Sequence, residues 1–154
     1  MIVDVIRAID NNALPDDADF DHWVTSALQV AGHSCDTSVA IRLVDAAEMQ
    51  TLNHTYRHKD KPTNVLSFPF DMPDGIDALP PFLGDLAICA EVVFDEATAQ
   101  NKTAQAHWAH MVVHGTLHLL GYDHIDDAEA DIMERLEITI LNQLGYPDPY
   151  QTDI

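Results

Sequence analysis

His114-Gly115-Thr116-Leu117-His118-Leu119-Leu120-Gly121-Tyr122-Asp123-His124 is the stretch around which the rest of this chain is organised. Two histidines four apart on a helix share a face, separated by about 6 Å along the axis. Both imidazoles can converge on one ion, at about 2.0–2.1 Å from each nitrogen. Gly121 stands where that helix must stop, because a residue without Cβ enters the left-handed turn at little cost. The reversal can bring His124 back beside the pair. Three histidines plus a water form the open tetrahedral set of a catalytic zinc.

The offsets of 4, 7 and 10 match the metzincin signature H-E-x-x-H-x-x-G-x-x-H, with one difference: Gly115 stands where a metalloprotease carries its general-base Glu. The chain has the ligands of a zinc hydrolase without the peptidase base. Three imidazoles favour zinc, although copper or nickel can occupy such a set in a test tube. His107, His110, His114 and His118 also form a stripe. A straight helix cannot bring His110, His114 and His118 to one ion, since the outer two lie about 12 Å apart. A set made of His110, His114 and a distant ligand stays open. Otherwise His107 and His110 either orient the ligands or lie on the surface. Asp123 adjoins a ligand and either orients a histidine or water, or caps the turn.

The surrounding chain is one domain's worth, residues 1–154, with 47% apolar and 21% charged residues, a globular composition. Seven Lys+Arg against 26 Asp+Glu give a net charge of −19. Taken alone, that opposes a nucleic-acid binder or attachment to an anionic membrane. The start lacks a basic n-region and no apolar run reaches membrane-span length, so a cytoplasmic protein is expected. Cys35 and Cys89 read as two buried thiols or one disulfide, without cysteine zinc spacing.

Periodicity places a strand over Met1–Ile9, a turn-rich acidic stretch over Asp10–Asp19, and a helix carrying Trp23, Ala27 and Val30 that stops at Gly32. Ser38–Val44 reads as a strand with Val39, Ile41 and Leu43 on one face. Asp45-Ala-Ala-Glu48 is a capping box for a helix to about Arg57. Asn64–Phe70 is β-prone, and Pro69 ends it or marks an edge. Asp71–Leu83 reads as a loop and Gly84–Ala90 as a strand. Helix follows from Glu91, breaks around Asn101-Lys102 and continues to about Leu120. Asp126-Asp127-Ala128-Glu129 opens a last helix that stops at Gly145. Strands early and helices late give an α+β domain with a small four-stranded sheet covered by helices.

Three of the seven cations fall within five residues: Arg57, Lys59 and Lys61, interleaved with His54 and His58. This is the segment suited to a phosphate backbone, and the planar fork of Arg57 suits it best. The plainer reading is a solvated helix end whose cations favour the dipole.

Three blocks together resemble the YbeY family of metal-dependent endoribonucleases. They are Asn53-x-x-Tyr56-Arg57-x-Lys59-Asp60-Lys61-Pro62-Thr63-Asn64-Val65-Leu66-Ser67-Phe68-Pro69, Gly84-Asp85-Leu86, and His114 to His124. The resemblance spans nearly the whole chain. It implies a zincin-like fold with a mixed sheet and a central metal-binding helix, with one zinc per chain on His114, His118 and His124. It further implies action on single-stranded RNA in the cytoplasm, in 3′-end maturation of small-subunit ribosomal RNA and in ribosome quality control, while the chain's acidity points to reliance on a ribosomal protein partner. The family's functional arginine falls on Arg57. Many members have Asp where this chain has Asn64, which removes a carboxylate there.

On this basis the expected chemistry is zinc-assisted phosphodiester cleavage, with Arg57, His114 and Asp123 in catalytic roles. The base is open between the activated water and Asp123, with the substrate's 2′-hydroxyl, once deprotonated, as the alternative internal nucleophile. The rival readings are a zinc peptidase, a hydrolase of small esters, and a non-catalytic ribosome assembly factor with a structural zinc. Acidity elsewhere on the chain should limit affinity for naked RNA.

Overall fold

The computed structural model describes residues 2–9, 13–33, 35–70, 82–123 and 125–150. The order is β1 (Val3–Arg7), α1 (Asp17–Val30), β2 (Val39–Val44), α2 (Ala46–Arg57), β3 (Val65–Pro69), β4 (Gly84–Cys89), α3 (Ala90–Ala99), α4 (Ala104–Leu119) and α5 (Asp127–Gln143). The four strands form one sheet in the order β1-β2-β4-β3. β1, β2 and β4 run parallel, while β3 pairs antiparallel to β4 and is an edge strand. The fold is α+β, as the hydrophobic pattern requires.

Strand alternation sorts the core into two layers. Val39, Ile41 and Leu43 of β2 and Leu86 and Ile88 of β4 enter a large core with Phe20, Trp23, Trp108, Val112 and Ile140. The opposite face contributes Val44, Leu66, Ala87 and Cys89, which meet Met49 of α2 in a smaller cluster. Helices therefore cover both faces. Cys35 and Cys89 are free thiols, so of the two readings the unpaired one holds, with Cys35 only partly buried.

Local chemistry sets the helix ends. Asp45 caps α2 by accepting from the Glu48 N–H, and Asp126 caps α5 by accepting from the Glu129 N–H, as the capping sequences require. α1 begins two residues before the acidic stretch ends, because Asp16 accepts from the Asp19 N–H while Asp17 and Asp19 lie favourably at the dipole's positive end. Asn101, at φ 55°, makes the break between α3 and α4. Pro69 is both the last residue of β3 and part of an edge strand. The proline-rich Asp71–Leu83 loop falls almost wholly outside the described residues. No described helix is long and apolar enough to cross a membrane.

α4 lies against the sheet and touches α1, α3 and α5. It is buried nearly all round, from His107 to Leu119, which explains its weak amphipathic signal. The close approach is made at Gly115. A Cβ there would stand 2.8 Å from Leu86 Cδ2 and 3.3 Å from Val65 Cγ2. Ser67 Oγ donates to the Gly115 carbonyl at 3.2 Å, tying the edge strand to the helix at the same point.

Gly115→Ala should therefore lower stability although alanine is the better helix former. Overpacking costs about 1–3 kcal/mol against a propensity gain of about 1 kcal/mol. Thermal unfolding should show a Tm lower by about 2–5 °C. An unchanged or higher Tm would mean that Leu86 relaxes freely.

Candidate active site

A cleft of about 780 Å³ opens across the edge strand. One wall is α4 and the turn after it: His114, His118, Gly121, Tyr122 and Asp123. The other is the end of α2 and the following loop: Asn53, Arg57, Lys59, Lys61 and Thr63. Residues of β3 form the floor between them.

The turn after α4 is built as the glycine predicts. Gly121 has φ 101°, its N–H donates to the His118 carbonyl at 3.0 Å, and the Tyr122 N–H donates to the Leu117 carbonyl at 3.0 Å. This is a Schellman arrangement, which satisfies two terminal carbonyls and turns the chain back so that Tyr122 and Asp123 line the cleft. His114 and His118 stand together, their ring centroids 4.7 Å apart. His124, the expected third ligand, lies outside the described residues.

Arg57 is at the last turn of α2 and its Nη2 donates to the Ser67 carbonyl at 3.5 Å across the cleft's edge. The buried Asn53 donates from Nδ2 to the Lys61 carbonyl at 2.8 Å, and Gln50 donates to Asp60 Oδ1 at 3.0 Å. These bonds shape the loop that presents Lys59 and Lys61. The other four cations are engaged elsewhere. Arg7 pairs with Asp17, Arg42 with Glu48 and Arg135 with Asp131, while Lys102 donates to the Pro149 carbonyl. The basic segment is a cleft wall as well as a helix end.

Glu137 is the residue that sequence reading missed. It projects from α5 with no exposed surface and meets His114 Nδ1 at 2.5 Å through Oε1. Tyr150 donates its hydroxyl to the other carboxylate oxygen, Oε2, and His110 Nε2 lies 3.5 Å from Oε1. Burial alone would raise the Glu137 pKa, but hydrogen bonds from His110 and His114 outweigh it and hold the pKa down to about 2. An ionised carboxylate only accepts, so His114 Nδ1 donates to Glu137 Oε1. Burial and the bond to Glu137 push the Tyr150 hydroxyl pKa up, which keeps it a donor.

His110, His114 and Glu137 offer ligand atoms all within 4.8 Å of one another, so this centre can bind a metal ion. Two ligands of a tetrahedral ion at about 2.05 Å would stand roughly 3.3 Å apart. The closer approach of Glu137 to His114 is that of a hydrogen bond. Such a carboxylate orients a ligating imidazole and raises its basicity.

His107 and His110 are buried, which rules out the surface reading. His107 Nε2 donates to Glu96 Oε1 at 3.0 Å, and burial lowers its pKa despite that bond. Asn64 donates Nδ2 to the same carboxylate at 3.2 Å and accepts the Val65 N–H at 2.7 Å through Oδ1. Asn64 is thus a brace for the cleft wall, with both ends of its amide engaged.

The family model for endoribonuclease YbeY matches residues 7–145. The chain belongs to the YbeY family of endoribonucleases. Among solved structures, the solution structure of TM1509 from Thermotoga maritima is similar to this chain at a TM-score of 0.58 and 21% identity. The match covers 97% of this chain and 99% of that one, a likeness of fold. The YbeY assignment agrees with the blocks that line the cleft: Asn53–Pro69 on one wall and floor, His114–Asp123 on the other.

The depressed Glu137 pKa makes a stability statement. Its folded value of about 2 lies below the ordinary 4.5, so the stabilisation is complete above about pH 4.5 and is lost as pH falls through about 2. In metal-free protein, Glu137→Gln should be less stable than wild type by on the order of 3 kcal/mol at neutral pH. Denaturant unfolding at several pH values should show that gap closing towards pH 2. A gap independent of pH would remove the ionised carboxylate from this account.

Proposed function

We propose that this chain is a cytoplasmic, single-domain, zinc-dependent endoribonuclease specific for single-stranded RNA. Its role is 3′-end maturation of small-subunit ribosomal RNA and ribosome quality control, with a ribosomal protein as partner. One observation carries the reading. In a chain of net charge −19, Arg57, Lys59 and Lys61 line the same cleft as His114, His118 and Asp123. A cationic wall facing imidazole ligands suits a phosphodiester; an uncharged ester or peptide needs no such wall.

The donor chemistry fits zinc. His114 and His118 present imidazoles side by side, and Glu137 orders the first of them for ligation through Nε2. His114, His118 and His124 would hold one ion per chain, with Glu137 and His110 behind them. When bound, zinc supplies a Lewis acid that lowers the pKa of a water and polarises a phosphoryl oxygen.

The chain's own side chains do the rest. Arg57 presents a planar, cationic fork to two phosphate oxygens. It offsets the negative charge that accumulates in the phosphorane-like transition state. Lys59 and Lys61 hold the flanking backbone. Asp123, the carboxylate lining the cleft, accepts the proton of the attacking oxygen as its bond to phosphorus forms. The bond from phosphorus to the leaving ribose oxygen breaks, and Asp123 passes the proton to that leaving oxygen. The peptidase alternative lacks its base for a physical reason: the Gly115 position faces Leu86 and Val65 in the sheet, and no glutamate fits there.

His114→Ala should lose zinc in metal analysis of the purified protein. Arg57→Ala should retain zinc and cleave single-stranded RNA about 10²- to 10³-fold more slowly. Cleavage at the wild-type rate by the Arg57 variant would remove its assigned role. Zinc loss in His110→Ala but not in His118→Ala would move the ion to the His110, His114 and Glu137 group. Digestion of casein but not of RNA would favour the peptidase.

A further inference from the structure

We propose that Tyr56 and Phe68 form a stacking subsite for an unpaired RNA base beside the nucleotide whose phosphate Arg57 holds. The inference rests on the RNA-cleaving reading above and extends it to a second contact. Tyr56 is 59% exposed, a large aromatic in the last turn of α2 with most of its surface in water. Its ring nonetheless has a neighbour on one side. It meets Phe68 at a centroid distance of 5.1 Å and an interplanar angle of 68°. Phe68 in turn packs on the small cluster with Leu66, Met49 and Val44.

The placement points to a ligand. Tyr56 and Arg57 are consecutive on α2, and Ser67 and Phe68 are consecutive on β3. The Arg57–Ser67 contact lines the cleft with His114, while the Tyr56–Phe68 pair is one residue along each element, on the face of β3 that α2 covers. Lys59 and Lys61 follow in the next loop and line the same cleft. Cations that track a backbone beside an aromatic platform are the composition of a single-strand binding groove, because every base has a π-face. An aromatic already packed on one side loses less entropy when a base settles on it. A duplex keeps its bases stacked on each other, so such a platform also selects for unpaired RNA.

The test is equilibrium binding of the zinc-loaded protein to a short 2′-O-methyl single-stranded oligonucleotide, intact and with an abasic site at each position in turn. Tyr56→Ala should raise Kd about fivefold to tenfold on the intact strand. Tyr56→Phe and Tyr56→Trp should bind within about twofold of wild type. At one position, the abasic change should weaken wild type but not Tyr56→Ala. The slope of log Kd against log salt should be unchanged in Tyr56→Ala and reduced by about 0.7 in Lys59→Ala.

Wild-type affinity in Tyr56→Ala, or equal losses at every abasic position, would overturn the subsite. So would a lowered Tm with unchanged Kd, which would make Tyr56 a cover for the small cluster or a contact for a protein partner. If wild-type protein neither binds nor cleaves RNA, the endoribonuclease reading itself fails. If it does both and only the Tyr56 effects are missing, the stacking subsite alone fails.

Discussion

A helix buried on nearly every side can offer only a narrow strip to solvent, and α4 is such a helix. Its approach to β4 and β3 at Gly115 leaves no room for a side chain, while Trp108, Val112 and Val113 are held in the main core. What remains at the surface is the strip carrying His114 and His118. The placement of these two histidines is thus a consequence of packing: they are held by the same contacts that hold the core together. Glu137 completes this arrangement from behind. A buried carboxylate is tolerated because two imidazoles and a phenol answer its charge, and in return it fixes Nδ1 of His114 as a donor.

The charge distribution follows the same logic. A net charge of −19 repels polyanions at a distance, while three cations are gathered on one wall of the cleft. The remaining cations are held in surface pairs or against backbone. Under the function proposed above, this combination would suit an enzyme that meets its RNA on a larger particle and has little affinity for RNA at large.

Much of this was legible in the chain alone. Capping residues, strand alternation and the Gly121 stop depend on neighbours within a few positions, so the elements and their ends could be placed closely. The exception was the start of α1, where acidic residues read as a turn because the same side chains that favour turns also favour a helix's first turn. The histidine spacing and the basic segment were equally local signals. Glu137 and Tyr150 carried none, since a single acid on an amphipathic helix looks like any other solvated charge until the fold buries it.

The sequence by itself determined the helix that carries the histidines, the turn that ends it, and the absence of a peptidase base at Gly115, since each follows from spacing and from a side chain or its lack. Only the tertiary structure decided that β3 lies at the sheet's edge, and that α2 and α4 therefore face each other across it. It also decided that Arg57 reaches Ser67 beside His114, and that Glu137 lies behind His114. Those contacts join residues ten and 23 positions apart, and the cleft they shape is shared by residues more than fifty apart. Close-packed layers bring them together, and no local propensity encodes which layer covers which.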